Sequence, residues 1–295
     1  MSLAALHPSA WAAVTEEADR LGYESVWLPE HLVLPVDMGR SDGPGGGVGS
    51  PHHGAGHPPI PPEVPVFDAF VYLSFLAGRT RSIRLGTHVY NVGLRHPFVS
   101  ARAVLTLDVA SGGRAIFGVG ASWLEGEWDA VGLDFATRGR RVDEALHVCR
   151  RLWTEPVVEH HGEFFDFAPV MFEPKPCSRP HPPVAIGGDG PAALRRAAEW
   201  GGWIPMNHGP QDLPAATARL AQMREARGLP GRVEVTLAGD IRSADDLGAY
   251  QGVGIDRLIV RPWARTRDAV EGLRAFAAAV DLRPPVSGPA ASGPG

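Results

Sequence analysis

Four short clusters in this 295-residue chain hold the residue types that proton, hydride or phosphate chemistry would use. Trp27-Leu28-Pro29-Glu30-His31 sets a carboxylate beside an imidazole, a pair able to pass a proton near neutral pH. A loop histidine bonded to backbone is the plainer alternative. Gly86-Thr87-His88-Val89-Tyr90-Asn91 reads either as a simple strand edge or as a wall against a flat ligand. Gly118-Val119-Gly120-Ala121-Ser122-Trp123 closes an apolar run with small residues that would let a ligand approach backbone, though isolated glycines also serve tight turns. Trp123 would either stack on a ring or fill a gap in the core. Ile186-Gly187-Gly188-Asp189-Gly190 precedes Pro191, a helix start, where free N–H groups attract anions. Asp189 would repel phosphate and is better read as a helix cap, which leaves Gly187 and Gly188 as phosphate candidates.

These clusters need elements to position them, and the chain supplies an alternating series. Apolar spacing predicts helices over 9–21, 67–77, 98–110, 139–153, 192–200, 213–227, 244–251 and 267–280. Between them run short apolar stretches at 24–28, 83–89, 115–119, 183–186, 202–205, 233–238 and 257–260. Residues 2–6 add a stub of a first strand, completing eight βα units. Such alternation predicts a parallel sheet, and eight units at this length predict a closed (β/α)8 TIM barrel with a shortened first strand. An open doubly wound sheet is the competing reading, but no Gly-x-Gly-x-x-Gly follows a first strand. In a barrel the ends of the strands form one reactive rim, where all four clusters fall.

The expected organisation is one barrel domain over 1–283. Residues 36–64, rich in Gly, Pro and His, form an expected mobile loop, and an insertion over 155–182 holds a hairpin around His161-Gly162. A disordered tail is expected over 284–295. His52, His53 and His57 match no zinc spacing, so no metal is expected. There is no Gly-x-Ser-x-Gly elbow and no Gly-Lys-Ser/Thr phosphate loop. The paired charges of Arg138, Arg140, Arg141, Asp143 and Glu144 read as surface ion pairs.

Composition narrows the partners. The net charge of −5 offers no basic stripe for nucleic acid, and 27 of the 28 basic residues are arginine. Cys149 and Cys177 cannot build a disulfide framework. The longest apolar stretch, 67–77, is too short for a membrane span, and no secretory signal is evident, so a cytoplasmic protein is expected.

Taken in order, Leu21-Gly22-Tyr23-Glu24-Ser25-Val26-Trp27, Glu30-His31, Leu85-Gly86-Thr87, Arg95-His96-Pro97, Gly118-Val119-Gly120 and Arg138-Gly139-Arg140-Arg141 resemble the luciferase-like monooxygenase superfamily, most of all its branch that uses the deazaflavin coenzyme F420. The resemblance runs from about Pro8 to Val280. It implies a usually dimeric barrel with a tricyclic ring across the strand ends, and with FMN as the alternative cofactor. It places Glu30 and His31 beside the reacting ring as catalytic residues. Thr87, His88, Val89, Gly120, Ala121, Ser122 and Trp123 would hold the cofactor, with a non-proline cis peptide at His88-Val89 against its back face. Gly187 and Gly188 would meet the phosphate arm. A separate reductase would be the partner that supplies reduced coenzyme. Trp123 stands where sugar-phosphate dehydrogenases of this branch carry a glutamate, which implies a more apolar substrate. A barrel that binds a ligand without catalysis is the third possibility.

Overall fold

The structure, a computed structural model, describes residues 1–4, 6–36, 63–239 and 241–284. Most of the expected loop over 36–64, its three histidines and the tail from 285 onward lie outside the described residues.

Seven parallel strands form the frame: β1 (Ser25–Leu28), β2 (Arg84–Thr87), β3 (Ala115–Val119), β6 (Val184–Gly187), β7 (Gly202–Ile204), β8 (Glu234–Ala238) and β9 (Arg257–Ile259). They hydrogen-bond in that order. The stub before β1 contributes a single bridge, Ser2 to Trp27, with backbone bonds from Leu3 N to Trp27 O and from Trp27 N to Met1 O, both 2.9 Å. The expected eighth strand is therefore reduced to residues 1–3; from there Leu6 N turns back to Leu3 O. Between the first and last strands the wall is bridged by Arg257, whose guanidinium bonds Glu24 on one side and Glu234 and Thr236 on the other. The result is a nearly closed (β/α)8-type barrel.

Helices α1 (Trp11–Leu21), α2 (Ala69–Ala77), α3 (Pro97–Ser111), α5 (Arg138–Thr154), α6 (Pro191–Trp200), α7 (Leu213–Glu225) and α8 (Ala269–Ala279) flank the sheet, with a short α4 (Glu125–Ala130) after β3. Their apolar faces and the outward side chains of the strands make one continuous core. A separate small cluster of Trp27, Ile116, Ala185, Ile204 and Ile259 comes from five different strands and fills the barrel's interior. Burying two such layers is what a barrel needs to be a packed core rather than a pore.

One further expectation shifts. The segment 244–251 is a 3-10 helix, Ala244–Tyr250, not an α-helix. A Ser243–Asp246 capping box starts it, but two aspartates and Gly248 within seven residues give weak α propensity. The insertion does carry an antiparallel hairpin, β4 (Val158–His161) with β5 (Asp166–Val170). Its turn is pinned to α5 because Glu144 accepts hydrogen bonds from the Phe164 and Phe165 amides and contacts His160 at 3.0 Å. Glu144 thus ties down a loop, while Asp143 pairs with Arg195 and Arg196.

Candidate functional site

The strand-end rim is built from residues just past β1, β2, β3 and β6, because βα loops leave from that end of every strand. Past β1, Glu30 is buried and fully occupied: one oxygen accepts from the Asn91 amide at 2.9 Å, the other from Arg95 at 2.5 Å. Arg95 in turn lies 4.4 Å from the Tyr90 ring centre. Glu30 therefore anchors the loop after β2, and it is not the acid that touches His31.

That acid is Glu127 on α4. His31 Nδ1 lies 3.2 Å from Glu127 Oε2, and the Glu127 side chain is 0% exposed. Glu127 also accepts from the Leu32 amide at 2.6 Å and from Asn91 Nδ2 at 3.3 Å. His31 remains partly open to solvent, with the Trp123 ring nearly perpendicular to it at 6.0 Å. Sequence reasoning missed Glu127, having assigned 124–137 to no element. A signal was there: Leu124 and Trp128, both buried, are four apart, the spacing of one helical face, and Glu127 borders that face.

The cofactor candidates divide sharply. Thr87 is completely buried, its hydroxyl donating to the Gly118 carbonyl at 2.7 Å, so its polar group is turned into the wall. The peptide between His88 and Val89 is cis. Val89 then extends across to the neighbouring strands: a Cβ placed on Gly120 would come within 2.6 Å of one Val89 methyl, and one on Gly187 within 2.9 Å of the other. These glycines make room for a side chain of the protein itself. What they support is a half-buried apolar surface at the rim, packed on the interior cluster together with Met206.

His88 sits above Trp27, ring centres 6.3 Å apart, and its buried Nε2 has no hydrogen-bond partner among the described residues. Burial pushes this imidazole down to about 4, with a smaller push from the Met1 amino group. It is therefore neutral at ordinary pH. Ser122 adopts a left-handed backbone, φ 63°, and its hydroxyl accepts from the Leu124 amide, so the turn out of β3 is shaped by Ser122. Ala121 packs on the core.

At the end of β6 the expected phosphate site changes character. Gly188 has φ +119° and its amide donates to the Ile204 carbonyl, so that amide is already used. Asp189 does not cap α6, whose N-cap is Gly190. Instead the carboxylate gathers the loop after β7, accepting from the Met206 amide (3.0 Å) and the Asn207 amide (2.9 Å) and facing His208 Nδ1 at 2.8 Å. The loop's own donors satisfy it better than the start of α6 could.

The described residues include no group of three or more His, Cys, Asp or Glu that could hold a metal, and no helix long and apolar enough to cross a membrane. Among known proteins, an uncharacterized protein of Mycobacterium tuberculosis is 30% identical over 267 residues, covering 81% of this chain and 90% of its own length. The FMNH2-dependent dimethylsulfone monooxygenase of Pseudomonas putida is 34% identical over 114 residues, 38% of this chain and 31% of that protein. Of solved structures, an F420-dependent secondary alcohol dehydrogenase bound to an F420-acetone adduct superposes with a TM-score of 0.75 at 16% identity, over 95% of this chain and 96% of the other. The family described as luciferase-like monooxygenase matches residues 2–251, and with that span the chain belongs to this family of oxidoreductases.

Proposed function

We propose that the protein transfers a hydride between the deazaflavin coenzyme F420 and a small, fairly apolar organic substrate, with His31 carrying the matching proton. The observation that carries this reading is the rim arrangement of His31. It is a partly open imidazole with a buried carboxylate behind it and an indole beside it. Removing a hydride from a carbon that bears oxygen or nitrogen leaves a proton to be taken up, and His31 would take it.

The residues present fit a planar redox cofactor in two respects. Val89, bedded between Gly120 and Gly187, offers an apolar wall at the rim. The unpartnered Nε2 of His88 is a buried polar atom of the kind that a ligand or an ordered water satisfies elsewhere. Bound F420 would supply the two-electron chemistry; the protein supplies orientation and keeps water out. Val89, the Gly120-Ala121 backbone and Trp123 would hold the ring. The phosphate arm has less support, since the Gly188 amide is committed elsewhere. Exposed Val71 and Phe75 on α2 and Val99 on α3 support a homodimer, and a separate reductase would regenerate the coenzyme.

FMN is the second reading, favoured by the likeness to an FMNH2-dependent monooxygenase. Parallel spectroscopic titrations with oxidised F420 and FMN test the choice. Saturable perturbation of the F420 spectrum, with none for FMN, is the expected result; FMN binding alone would replace the first reading by the second. Binding of neither would favour a non-catalytic barrel.

A further inference from the structure

We infer that Glu127 fixes which nitrogen of the neutral His31 ring carries the proton, and leaves Nε2 as its accepting atom. Both oxygens of Glu127 face donors: the Leu32 amide on Oε1 at 2.6 Å, the Asn91 side-chain amide on Oε2 at 3.3 Å. A carboxyl group receiving two N–H donors, one on each oxygen, is an acceptor on both. His31 Nδ1, 3.2 Å from Oε2, must then be the donor, because a lone pair there would face a lone pair. The neutral ring consequently holds its proton on Nδ1 and keeps its lone pair on Nε2.

The other groups around this pair reinforce the assignment. Glu30, next in sequence, is turned away and committed to Arg95 and the Asn91 amide. Asn91 therefore spans both carboxylates, its backbone on Glu30 and its side chain on Glu127, and holds the second in register with the first. The Trp123 ring stands nearly perpendicular to that of His31, at 85°. Glu127 is thus a positioning residue: it acts through His31 and belongs to α4, after β3, not to the strand that carries the imidazole.

The lone pair on Nε2 is what the proton-accepting role proposed above for His31 requires. An Nε2 lone pair takes a proton from a substrate O–H or N–H whose carbon gives up a hydride; the substrate loses two electrons and two protons in all, one proton to His31 and the other within the hydride. That consequence rests on the reading proposed above; the tautomer does not.

The test separates the two. Nitrogen-15 NMR of the ligand-free protein reads the His31 tautomer, the signal being assigned by its loss in His31→Gln. The expected spectrum has the proton on Nδ1, and a proton on Nε2 overturns the inference whatever the activity. In Glu127→Ala the acceptor behind Nδ1 is removed, and the preference for the Nδ1 proton should be lost. Turnover should then fall ~10²-fold or more with KM little changed, as when a triad loses its acid. Glu125→Gln, on the exposed side of α4, should leave both readouts unaltered. A Glu127→Ala protein that keeps the Nδ1 preference of the wild type, or keeps wild-type turnover with it lost, also overturns the inference. Wild type lacking turnover with either cofactor would sink the functional reading alone.

Discussion

The two ends of the barrel use charge in opposite ways. At the end where strands begin, cations are saturated by fixed partners. Arg114 donates to the carbonyls of Ala77, Thr80, Ile83 and Ser111 and to the Thr80 hydroxyl, while Asp19 gathers the amides of Arg81, Ser82 and Ile83. Arg257 bridges three strands there. At the end where strands finish, imidazoles stand beside the Arg95–Glu30 pair. His31, His88 and His208 are each held through one nitrogen or none. A guanidinium keeps its protons, so it can close a structure; an imidazole can exchange them, so it can serve a reaction. One end is fastened and the other is left able to change its protonation.

Substitutions at each end should break that contrast in different currencies. The largest effect is expected for Arg114→Met. It leaves several buried carbonyls without a donor and should lower stability by about 3–5 kcal/mol, read by chemical denaturation. A loss below about 1 kcal/mol would mean that water replaces the guanidinium.

Next comes acid sensitivity. Burial holds His88 near 4 while the unfolded chain would take up the proton near pH 6.5, so the unfolded state binds protons first. Stability contributed by this group is complete above about pH 6.5 and declines as the pH falls towards 4, by up to about 3 kcal/mol. His88→Leu should flatten that slope in urea melts between pH 4 and 6.5, and an unaltered slope would locate the acid response elsewhere.

Removing the imidazole in His31→Ala should slow turnover ~10²-fold, about 2.7 kcal/mol, with cofactor affinity within a few fold. Normal turnover would strike His31 from the mechanism. The smallest effect is expected for Gly120→Ala. Its Cβ would meet Val89 at 2.6 Å, and relieving such overpacking costs about 1–3 kcal/mol, visible as a lowered Tm.

The sequence made the frame legible because barrel strands and helices announce themselves by apolar period and by punctuation. Pro97 and Pro191 stand at the first positions of α3 and α6, and Gly22, Gly112 and Gly201 end helices in left-handed geometry. Strand-end position also directed attention to His31, Val89 and Trp123. The partners of those residues were harder to see, since each lies far along the chain. Glu127 is 96 positions from His31, and nothing in the Glu30-His31 pair reveals that Glu30 is committed to Arg95. Asp189 was misread for the same reason: local spacing favours a cap, whereas the donors at 206–208 come from the next strand's loop. Glycines next to a ring of strands look like space for a ligand; only coordinates show that Val89 fills that space.

Val89 therefore works as a dowel through three staves, seated from β2 into recesses beyond β3 and within β6. Positions 89, 120 and 187 cannot vary independently. A bulkier residue at either recess demands a shorter one at 89. Redesigning this part of the rim would begin with the trio and not with any one member of it.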